Sequence, residues 1–152
     1  MEQEYYYEYL QEFMGVFILI AVVIVAVALI YSVCYVIGSW KIFEKAGEAG
    51  WKSLIPLYDY YIRIKISWNT GMFWVWLALS VLGGGMGMNK HLNVILLGML
   101  IRLGAYVIRI ISAYKLAKVF DHGVGFAVGL ALLEPFFLLI LGLDQSEYHS
   151  GI

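Results

Sequence analysis

A run of twenty-eight residues without a formal charge, from Phe13 to Trp40, constrains this chain more than any other feature. As an α-helix it would extend about 42 Å at ~1.5 Å per residue, whereas the hydrocarbon core of a bilayer is ~30 Å thick. The run therefore predicts a membrane-spanning helix. We expect a retained anchor rather than a cleaved signal peptide, because only acidic residues and no Lys or Arg precede it. These acidic residues are Glu2, Glu4, Glu8 and Glu12.

The composition supports a membrane protein and argues against nucleic-acid binding. Hydrophobic residues make up 62% of the chain and charged residues only 14%, a larger apolar share than globular domains have. Ten Lys and Arg residues against eleven Asp and Glu leave no basic surface for a nucleic-acid partner. The single cysteine, Cys34, lies in the first apolar run, where it is either a small packing residue or a thiol that links two chains.

Hydropathy divides the chain into four predicted spans, so the expected fold class is all-α, an integral membrane four-helix bundle. The spans cover about 13–38, 68–88, 93–113 and 123–143, between tails at 1–12 and 144–152. The third span carries Arg102 and Arg109. Their insertion cost of about 2.5–3.5 kcal/mol each nearly cancels the gain from the Leu, Ile and Val residues of the span. We therefore expect this span to insert together with the second one.

The distribution of basic residues predicts the orientation. Seven of the ten lie in two alternate loops: Lys41, Lys45, Lys52, Arg63 and Lys65 before the second span, and Lys115 and Lys118 before the fourth. The positive-inside rule places such loops in the cytoplasm. With four spans, both termini are then expected to be extracytoplasmic.

The segment 39–54 has the pattern of an amphipathic helix lying in the inner headgroup layer, with apolar residues at steps of three and four. Pro56 is expected to end it, and an aromatic belt is expected to lead into the second span. The predicted interfacial anchors are Trp40, Trp51, Tyr58, Tyr60 and Tyr61. The N-terminal tyrosines would form an outer belt, or a tyrosine motif that is modified or binds a partner. They are Tyr5, Tyr6, Tyr7 and Tyr9.

Three charged residues lie inside predicted spans. Arg102 and Arg109 share a helix face, and Glu134 is expected at the depth of Arg102 if the last two spans are antiparallel neighbours. Charges in hydrocarbon cost less when they are paired, so we predict an Arg102–Glu134 ion pair, with Arg109 turned inward towards Asp59, Asp121 or a lipid phosphate. The pair is interpreted as fixing helix register, as lining a path for protons or small anions, or as arginines that bind lipid headgroups.

Small residues predict where helices pack closely. Gly98 and Ala105 continue the face of the two arginines, and Gly125 and Gly129 have a small-xxx-small spacing. Pro135 is expected to kink the last span beside Glu134. The glycine cluster at 83–87 is expected to let the second span fray into the following turn.

No catalytic or metal-binding motif is recognisable. His91, His122 and His149 have no Cys or acidic partner at the spacing of metal ligands. No serine has an evident base and orienting acid. We therefore expect no enzymatic activity, no catalytic residue, no metal and no cofactor.

Two stretches carry a resemblance and cover about two fifths of the chain. They are WKIFEKAGEAGWKSLIPLYDYYIRIKI (40–66) and AYKLAKVFDHGVGFAVGLALLEPFFLLILGLDQSEY (113–148). They resemble a family of small bacterial membrane proteins of unknown function, and the first is similar to a membrane module that precedes some bacterial signal peptidases. The resemblance implies a compact multi-span module in the bacterial cytoplasmic membrane, without catalytic residues to transfer. The chain departs from the family in its GGGMGMNKH connection and in the acidic Glu134, and it lacks the Ser/Lys peptidase domain.

The function expected from these patterns is that of a non-enzymatic scaffold or accessory subunit that acts through helix packing. Its expected partners are the lipid bilayer and either a second copy or another membrane protein. The alternative is a channel or transporter subunit for protons or small anions that uses the intramembrane arginines and glutamate.

Overall fold

The computed structural model describes residues 2–150, and within these residues it is helical and has no strand. The elements are α1 (Glu2–Lys45), a 3₁₀ helix (Gly50–Leu54), α2 (Pro56–Ser67), α3 (Gly71–Gly87), α4 (Leu92–Val119), α5 (Val124–Leu132) and α6 (Glu134–Leu143). The predicted all-α class is confirmed. The N-terminal segment is helical from Glu2, while the side chains of Glu2, Glu4, Tyr5, Glu8, Tyr9 and Glu12 lie outside the described part.

Two helical segments are long and apolar enough to cross a membrane. They are Phe13–Lys45 and Leu92–Val119, with 33 and 28 residues. Every residue from Phe13 to Val33 is exposed, and the chain divides into two units after Val33. The apolar helices α3 and α6 are shorter, with 17 and 10 residues. Helix length alone therefore supports two spans rather than four.

The predicted interfacial helix at 39–54 is not a separate helix. Residues 39–45 continue α1, which ends in a turn at Gly47, where φ is +75°. The amide of Glu48 donates to the carbonyl of Phe43, and that of Gly47 donates to Glu44. This is the hydrogen-bond pattern of a glycine-terminated helix. The prediction of one helix was wrong because the apolar spacing continues across the turn at Gly47, where the chain changes direction.

Helix α2 replaces the predicted loop and aromatic lead-in. Pro56 is its first residue, a position where the missing amide proton costs nothing because that group has no intrahelical partner. The helix buries Ile62, Ile64 and Ile66 on several sides, together with the charged Asp59 and Arg63. It is therefore part of the protein core.

Helices α3 and α4 pack at very close range through glycines. A Cβ on Gly83 would lie 2.9 Å from the carbonyl oxygen of Gly98, and one on Gly98 would lie 2.9 Å from the Cβ of Met86. The helix α3 continues to Gly87 instead of fraying. The glycine cluster thus serves helix approach, the role that was predicted for Gly98.

The predicted fourth span is a helical hairpin. The helix breaks at Leu133 (φ −125°, ψ 49°), and α6 then begins with Glu134 and Pro135. The Nε2 of His122 lies 2.7 Å from the Oδ2 of Asp144, whereas 22 residues of continuous helix would separate them by about 33 Å. The kink expected at Pro135 is present as a complete reversal. The tail that follows Leu143 therefore lies at the same end as the α4–α5 turn.

The hydrophobic core lies at this end of the unit that begins at Cys34. It includes residues with 0–4% exposure from α1, from α4 and the turn after it, and from α6: Ile42, Phe43, Leu116, Ala117, Val119, Phe120, Leu138 and Leu141. The last part of α1 touches α6 directly, because a Cβ on Gly38 would lie 2.5 Å from the backbone of Leu138. These contacts hold α1, α2, α4 and α6 around a buried group of charges.

Candidate functional site

Four charged side chains from three helices form one cluster, which is buried except at Arg109. Within α2, Arg63 Nη2 lies 2.9 Å from Asp59 Oδ2, one helical turn away. The other end of the Arg63 guanidinium donates from Nη1 to Oε1 of Glu134, the first residue of α6. The second oxygen of Glu134 accepts from Nη2 of Arg109 on α4. The cluster therefore ties α2, α4 and α6 together.

Tyr35 connects α1 to the cluster. Its hydroxyl donates to Asp59 Oδ2 at 2.5 Å and accepts a hydrogen bond from Arg63 Nη2. The Arg63 guanidinium also lies over the Tyr35 ring, 5.1 Å from its centroid. Four helices, α1, α2, α4 and α6, thus meet at this cluster.

The cluster balances its charges, with two guanidiniums and two carboxylates. Asp59 and Arg63 are buried, Glu134 is 13% exposed at its side chain, and Arg109 is 49% exposed. Removing charges from water costs several kcal/mol per ion unless they are paired with good geometry. The alternation Asp59, Arg63, Glu134, Arg109 supplies each buried charge with an opposite neighbour.

A small cavity adjoins the cluster. Its volume is about 20 Å³, which is enough for one water molecule. Its walls are Tyr60, Arg63, Arg109, Ser112, Ala113, Leu116, Leu130, Ala131 and Glu134. The Tyr60 hydroxyl and Arg63 Nε are buried and have no hydrogen-bond partner in the described part of the chain. One water bound there could form hydrogen bonds with these two groups, but the cavity is too small for a continuous file of waters.

The predicted Arg102–Glu134 pair is wrong, and Arg109 takes the place of Arg102. The helix α4 continues six residues beyond the predicted end at Ala113, to Val119. Counted from the true helix ends, Arg109 lies ten residues before Val119 and Glu134 ten residues after Val124. Arg109 and Glu134 thus lie at matched positions along their helices, whereas the predicted end at Ala113 had matched Glu134 with Arg102.

Arg102 lies beside α3, in a separate open cleft. A Cβ on Gly83 would lie 2.9 Å from its Cγ, and one on Gly84 would lie 3.7 Å from its Nη2. The cleft has a volume of about 290 Å³ and is lined by Trp76, Ser80, Arg102, Ala105, Tyr106 and Arg109. Arg109 therefore borders both the cleft and the small cavity.

The five predicted interfacial aromatics have different environments. Trp51 is 52% exposed and Tyr58 is 36% exposed, whereas Tyr60 is buried at 8%. Tyr60 packs against Trp76 with 4.3 Å between ring centroids, so it belongs to the α2–α3 contact. Tyr61 stacks on Tyr58 at 5.8 Å. Trp40 is half-buried and donates from its indole nitrogen to Glu44 at 2.7 Å.

The predicted packing residues also differ among themselves. Gly98 and Ala105 are buried, Gly98 against α3. Gly129 faces the Phe137 ring, within the α5–α6 hairpin. A Cβ on Gly125 would have no heavy atom within 4 Å. The small-xxx-small pair is thus divided between an internal contact and open space.

A second polar group closes the end of the hairpin. Lys45 Nζ donates to Asp144 Oδ1 at 2.6 Å and to the backbone carbonyl of Leu141 at 2.6 Å. Burial acts to raise the pKa of Asp144, but hydrogen bonds from Lys45, Ser146 and His122 lower it to about 2. On the same side of the molecule, hydrogen bonds from Lys52 and Lys65 hold the pKa of Glu48 below its usual value.

Sequence reasoning did not identify Tyr35 or Arg63 as members of the cluster, and it considered Asp59 only as one possible partner of Arg109. Asp59 and Arg63 lie among tyrosines and lysines and were assigned to a cytoplasmic loop. Their i,i+4 spacing after a proline was the available signal, since Pro at the first helical position and a carboxylate in the first turn favour a helix. In the described part of the chain, no three His, Cys, Asp or Glu side chains are placed to hold a metal ion.

The region that carries the charged cluster matches a known protein family. A family of unknown function, DUF5684, matches residues 51–151. The chain belongs to the DUF5684 family. The matched region includes all four charged residues of the cluster, the glycine contact between α3 and α4, and the α5–α6 hairpin. Tyr35 and the exposed segment Phe13–Val33 precede it. No curated protein and no solved structure matches this DUF5684 chain.

Proposed function

We propose that this DUF5684 protein is an integral membrane module of the bacterial cytoplasmic membrane, and that it acts without catalysis as a scaffold or accessory subunit. The observation that supports this most is the closed state of the charged cluster. Its carboxylates and guanidiniums are paired with each other, and the adjoining cavity has room for about one water. Such a cluster fixes helices in place and leaves the outer surface for association.

The proposed membrane arrangement has three crossings, by α1 from Phe13 onwards, α3 and α4, with α5–α6 entering from one side. The apolar segment Phe13–Val33 offers an uncovered surface to lipid or to a partner helix. The end with Lys45, His122 and Asp144 carries both basic loops. The positive-inside rule makes this end cytoplasmic.

The hairpin changes the expected position of the C-terminal tail. Both termini were expected outside, on the basis of a fourth crossing. Because Asp144 contacts Lys45 and His122, the tail lies with the basic loops, and we place it in the cytoplasm. The acidic residues of the tail had supported the outside position, but Asp and Glu contribute little to orientation.

A crosslinking experiment tests the scaffold function. A photo-reactive amino acid at Val23, in the exposed segment, should give a discrete protein adduct in cells. The matched control is Leu100 on α4, which is also exposed and apolar. Lipid adducts alone at Val23 and at its neighbours through one full turn, together with a monomer in native mass spectrometry, would reject the scaffold function.

A second candidate, a pathway subunit for protons or small anions, is favoured by one observation. Arg109 lines both the open cleft and the small cavity next to Glu134, so polar groups continue from one to the other. Protein in sealed liposomes should then show a proton or chloride flux that Glu134→Gln abolishes and Glu147→Gln leaves intact. A tight membrane with the wild-type protein would eliminate this candidate.

A further inference from the structure

The tail after α6 is attached to the ends of two other helices. In residues 144–149, which we call the C-terminal strap, the hydroxyl of Tyr148 donates to the carbonyl of Ile66 at 2.9 Å, close to the end of α2. The Tyr148 ring packs against Phe120, the residue that follows α4, with 5.6 Å between the ring centroids. The Phe120 side chain is fully buried. The strap thus covers the core where α2 and α4 finish.

Two pairs of a histidine and an aspartate join the strap to the α4–α5 turn. The Nε2 of His122 lies 2.7 Å from Oδ2 of Asp144. The Nε2 of His149 lies 2.7 Å from Oδ2 of Asp121, and the His149 amide donates to the carbonyl of Val119 at 2.8 Å. The strap supplies the aspartate of one pair and the histidine of the other. It is therefore attached near both of its ends by the same two chemical groups.

The two pairs lie in different surroundings. His122 and Asp144 are partly buried. Lys45 holds the other oxygen of Asp144 at 2.6 Å, so this end of the strap keeps a cation whether or not His122 is charged. His149 and Asp121 are exposed and lie at the other end of the strap. The part of the strap that can leave the turn therefore begins after Asp144 and includes the His149 pair.

Other ionisable groups around the strap keep one charge state between about pH 5 and 8. Burial acts to raise the pKa of Asp144, but hydrogen bonds from Lys45 and other donors lower it to about 2. Burial and the nearby Glu48 carboxylate raise the pKa of the Tyr148 hydroxyl, against the effect of Lys65. Hydrogen bonds from lysines hold the pKa of Glu48 below its usual value. Imidazoles are the side chains that gain or lose a charge in this interval, so the two histidines remain.

We propose that the C-terminal strap is a pH-sensitive latch: it is docked against the α4–α5 turn when its two imidazoles are protonated, and its last residues are released when they lose their charge. An imidazolium and a carboxylate form a charge-assisted hydrogen bond, whereas a neutral imidazole lacks the attraction of opposite charges. Because the protonated form favours docking, the docked fraction is largest at acidic pH and falls as the pH rises towards 8. Release uncovers the Phe120 ring and the end of α2. The latch goes beyond the scaffold function and does not depend on it.

The His149–Asp121 pair determines the size of the effect. Asp144 stays with Lys45 in both states, so the charge of His122 moves the strap little. The other pair is exposed, and exposed ion pairs are weak. We therefore expect the ratio of docked to released strap to fall about two- to fivefold between pH 5.5 and pH 8.

A spin label measures docking on the whole chain in detergent. In a Cys34→Ser background, a nitroxide is attached to a cysteine at Glu147, an exposed position of the strap. Its electron paramagnetic resonance spectrum distinguishes an immobile from a mobile strap. The ratio of mobile to immobile label in this parent protein should rise about two- to fivefold from pH 5.5 to pH 8.

Three variants identify the group that titrates. His149→Gln and Asp121→Asn should already show at pH 5.5 the mobile fraction that the parent shows at pH 8, and they should respond little to pH. Asparagine suits the positive φ of 59° at position 121. His91→Gln, in the α3–α4 turn, removes a histidine outside the strap and should follow the parent.

Hydrogen exchange of the unlabelled protein provides an independent measurement. Because the His149 amide donates to Val119, its protection factor, which is corrected for the intrinsic effect of pH, should fall together with docking. Two results would overturn the proposal: a protection factor that does not change from pH 5.5 to pH 8, or equal pH responses of His149→Gln and His91→Gln. Where label and exchange differ, the exchange of the unlabelled protein decides.

Discussion

The Nζ of Lys45 lies 2.6 Å from Oδ1 of Asp144, a residue 99 positions later in the chain. The same ammonium donates to the carbonyls of Leu141 and Asp144, at 2.6 and 2.8 Å. It thus closes the C-terminus of α6, where unpaired carbonyls and the helix dipole favour a cation. The ends of α1 and α6 are fixed at one level by this contact.

Removing this contact should destabilise the fold. Lys45→Ala leaves the last carbonyls of α6 and the Asp144 carboxylate without their cation, and we expect a loss of about 1–3 kcal/mol in the free energy of unfolding. The measurement is equilibrium unfolding in detergent. Lys41→Ala is the control, because Lys41 pairs with Glu44 at an exposed position and should change little. Similar losses in both variants would refute a special role for Lys45.

The pH dependence of stability should reveal Asp144. Its pKa is about 2 in the folded protein and 3.8 as the ordinary value. A lowered folded-state pKa means that the carboxylate stabilises the fold above about pH 4 and that this contribution disappears as the pH falls towards 2. The difference in melting temperature between wild type and Asp144→Asn should therefore shrink from pH 5 to pH 2. A difference that stays constant over this interval would contradict the assignment.

Arg63 should be the most sensitive residue of the buried cluster. Arg63→Gln leaves Asp59 and Glu134 as buried carboxylates without their shared cation, so we expect a loss of about 3–5 kcal/mol. The double variant Arg63→Gln/Asp59→Asn should be less unstable than the sum of the single variants, because it removes both members of a pair. Thermal unfolding of purified protein measures both effects. Arg102 lies outside the cluster, so Arg102→Gln should lower the free energy of unfolding less than Arg63→Gln does. An equal loss would show that the cluster is misidentified.

Cysteine labelling should show that the C-terminal tail and the basic loops share one side of the membrane. In a background with Cys34→Ser, cysteines at Ser150 and Lys118 should react with a membrane-impermeant thiol reagent from the same side. A cysteine at Asn89, in the α3–α4 turn, should react from the opposite side. Inverted and right-side-out vesicles provide the two measurements. If the cysteines at Ser150 and Asn89 reacted from the same side, the result would favour a fourth crossing of the membrane.

Two glycines should respond oppositely to alanine. A Cβ on Gly38 would lie 2.5 Å from the backbone of Leu138, so Gly38→Ala must separate α1 from α6 and should cost about 1–3 kcal/mol. Gly125→Ala, in the first part of α5, meets no atom within 4 Å and should stabilise that helix by up to about 1 kcal/mol. Denaturant midpoints compare the two variants. A loss at Gly125 as large as that at Gly38 would be inconsistent with these contacts.

The sequence was informative where the signal is local. The apolar run, the helical class, the buried face of Gly98 and the disruption at Pro135 all follow from residue type and spacing. The direction of α6 does not, because hydropathy reports how long a segment is and not whether it crosses or returns. The reversal depends on contacts between α5 and α6, such as the Phe126–Phe137 rings, 5.1 Å apart.

The charged cluster also combines residues that the local sequence reveals with residues that only tertiary packing brings in. Glu134 and Arg109 were recognised because a charge inside an apolar segment is conspicuous. Arg63 was not, because it lies in a segment that already contains several bases and looks solvated. Its burial results from tertiary packing against Tyr35 and Glu134, which are 28 and 71 positions away.

The reversal at Leu133 also affects how such a chain enters a bilayer during synthesis. In the proposed arrangement α5 and α6 begin and end on one side, so the segment 120–150 would not have to be translocated by the insertion machinery. Asp144, Glu147 and His149 would then stay on the side of the basic loops, and Glu134 would be the charged residue that enters with the tip of the hairpin. Docking of the hairpin would be complete when Glu134 pairs with Arg63 and Arg109.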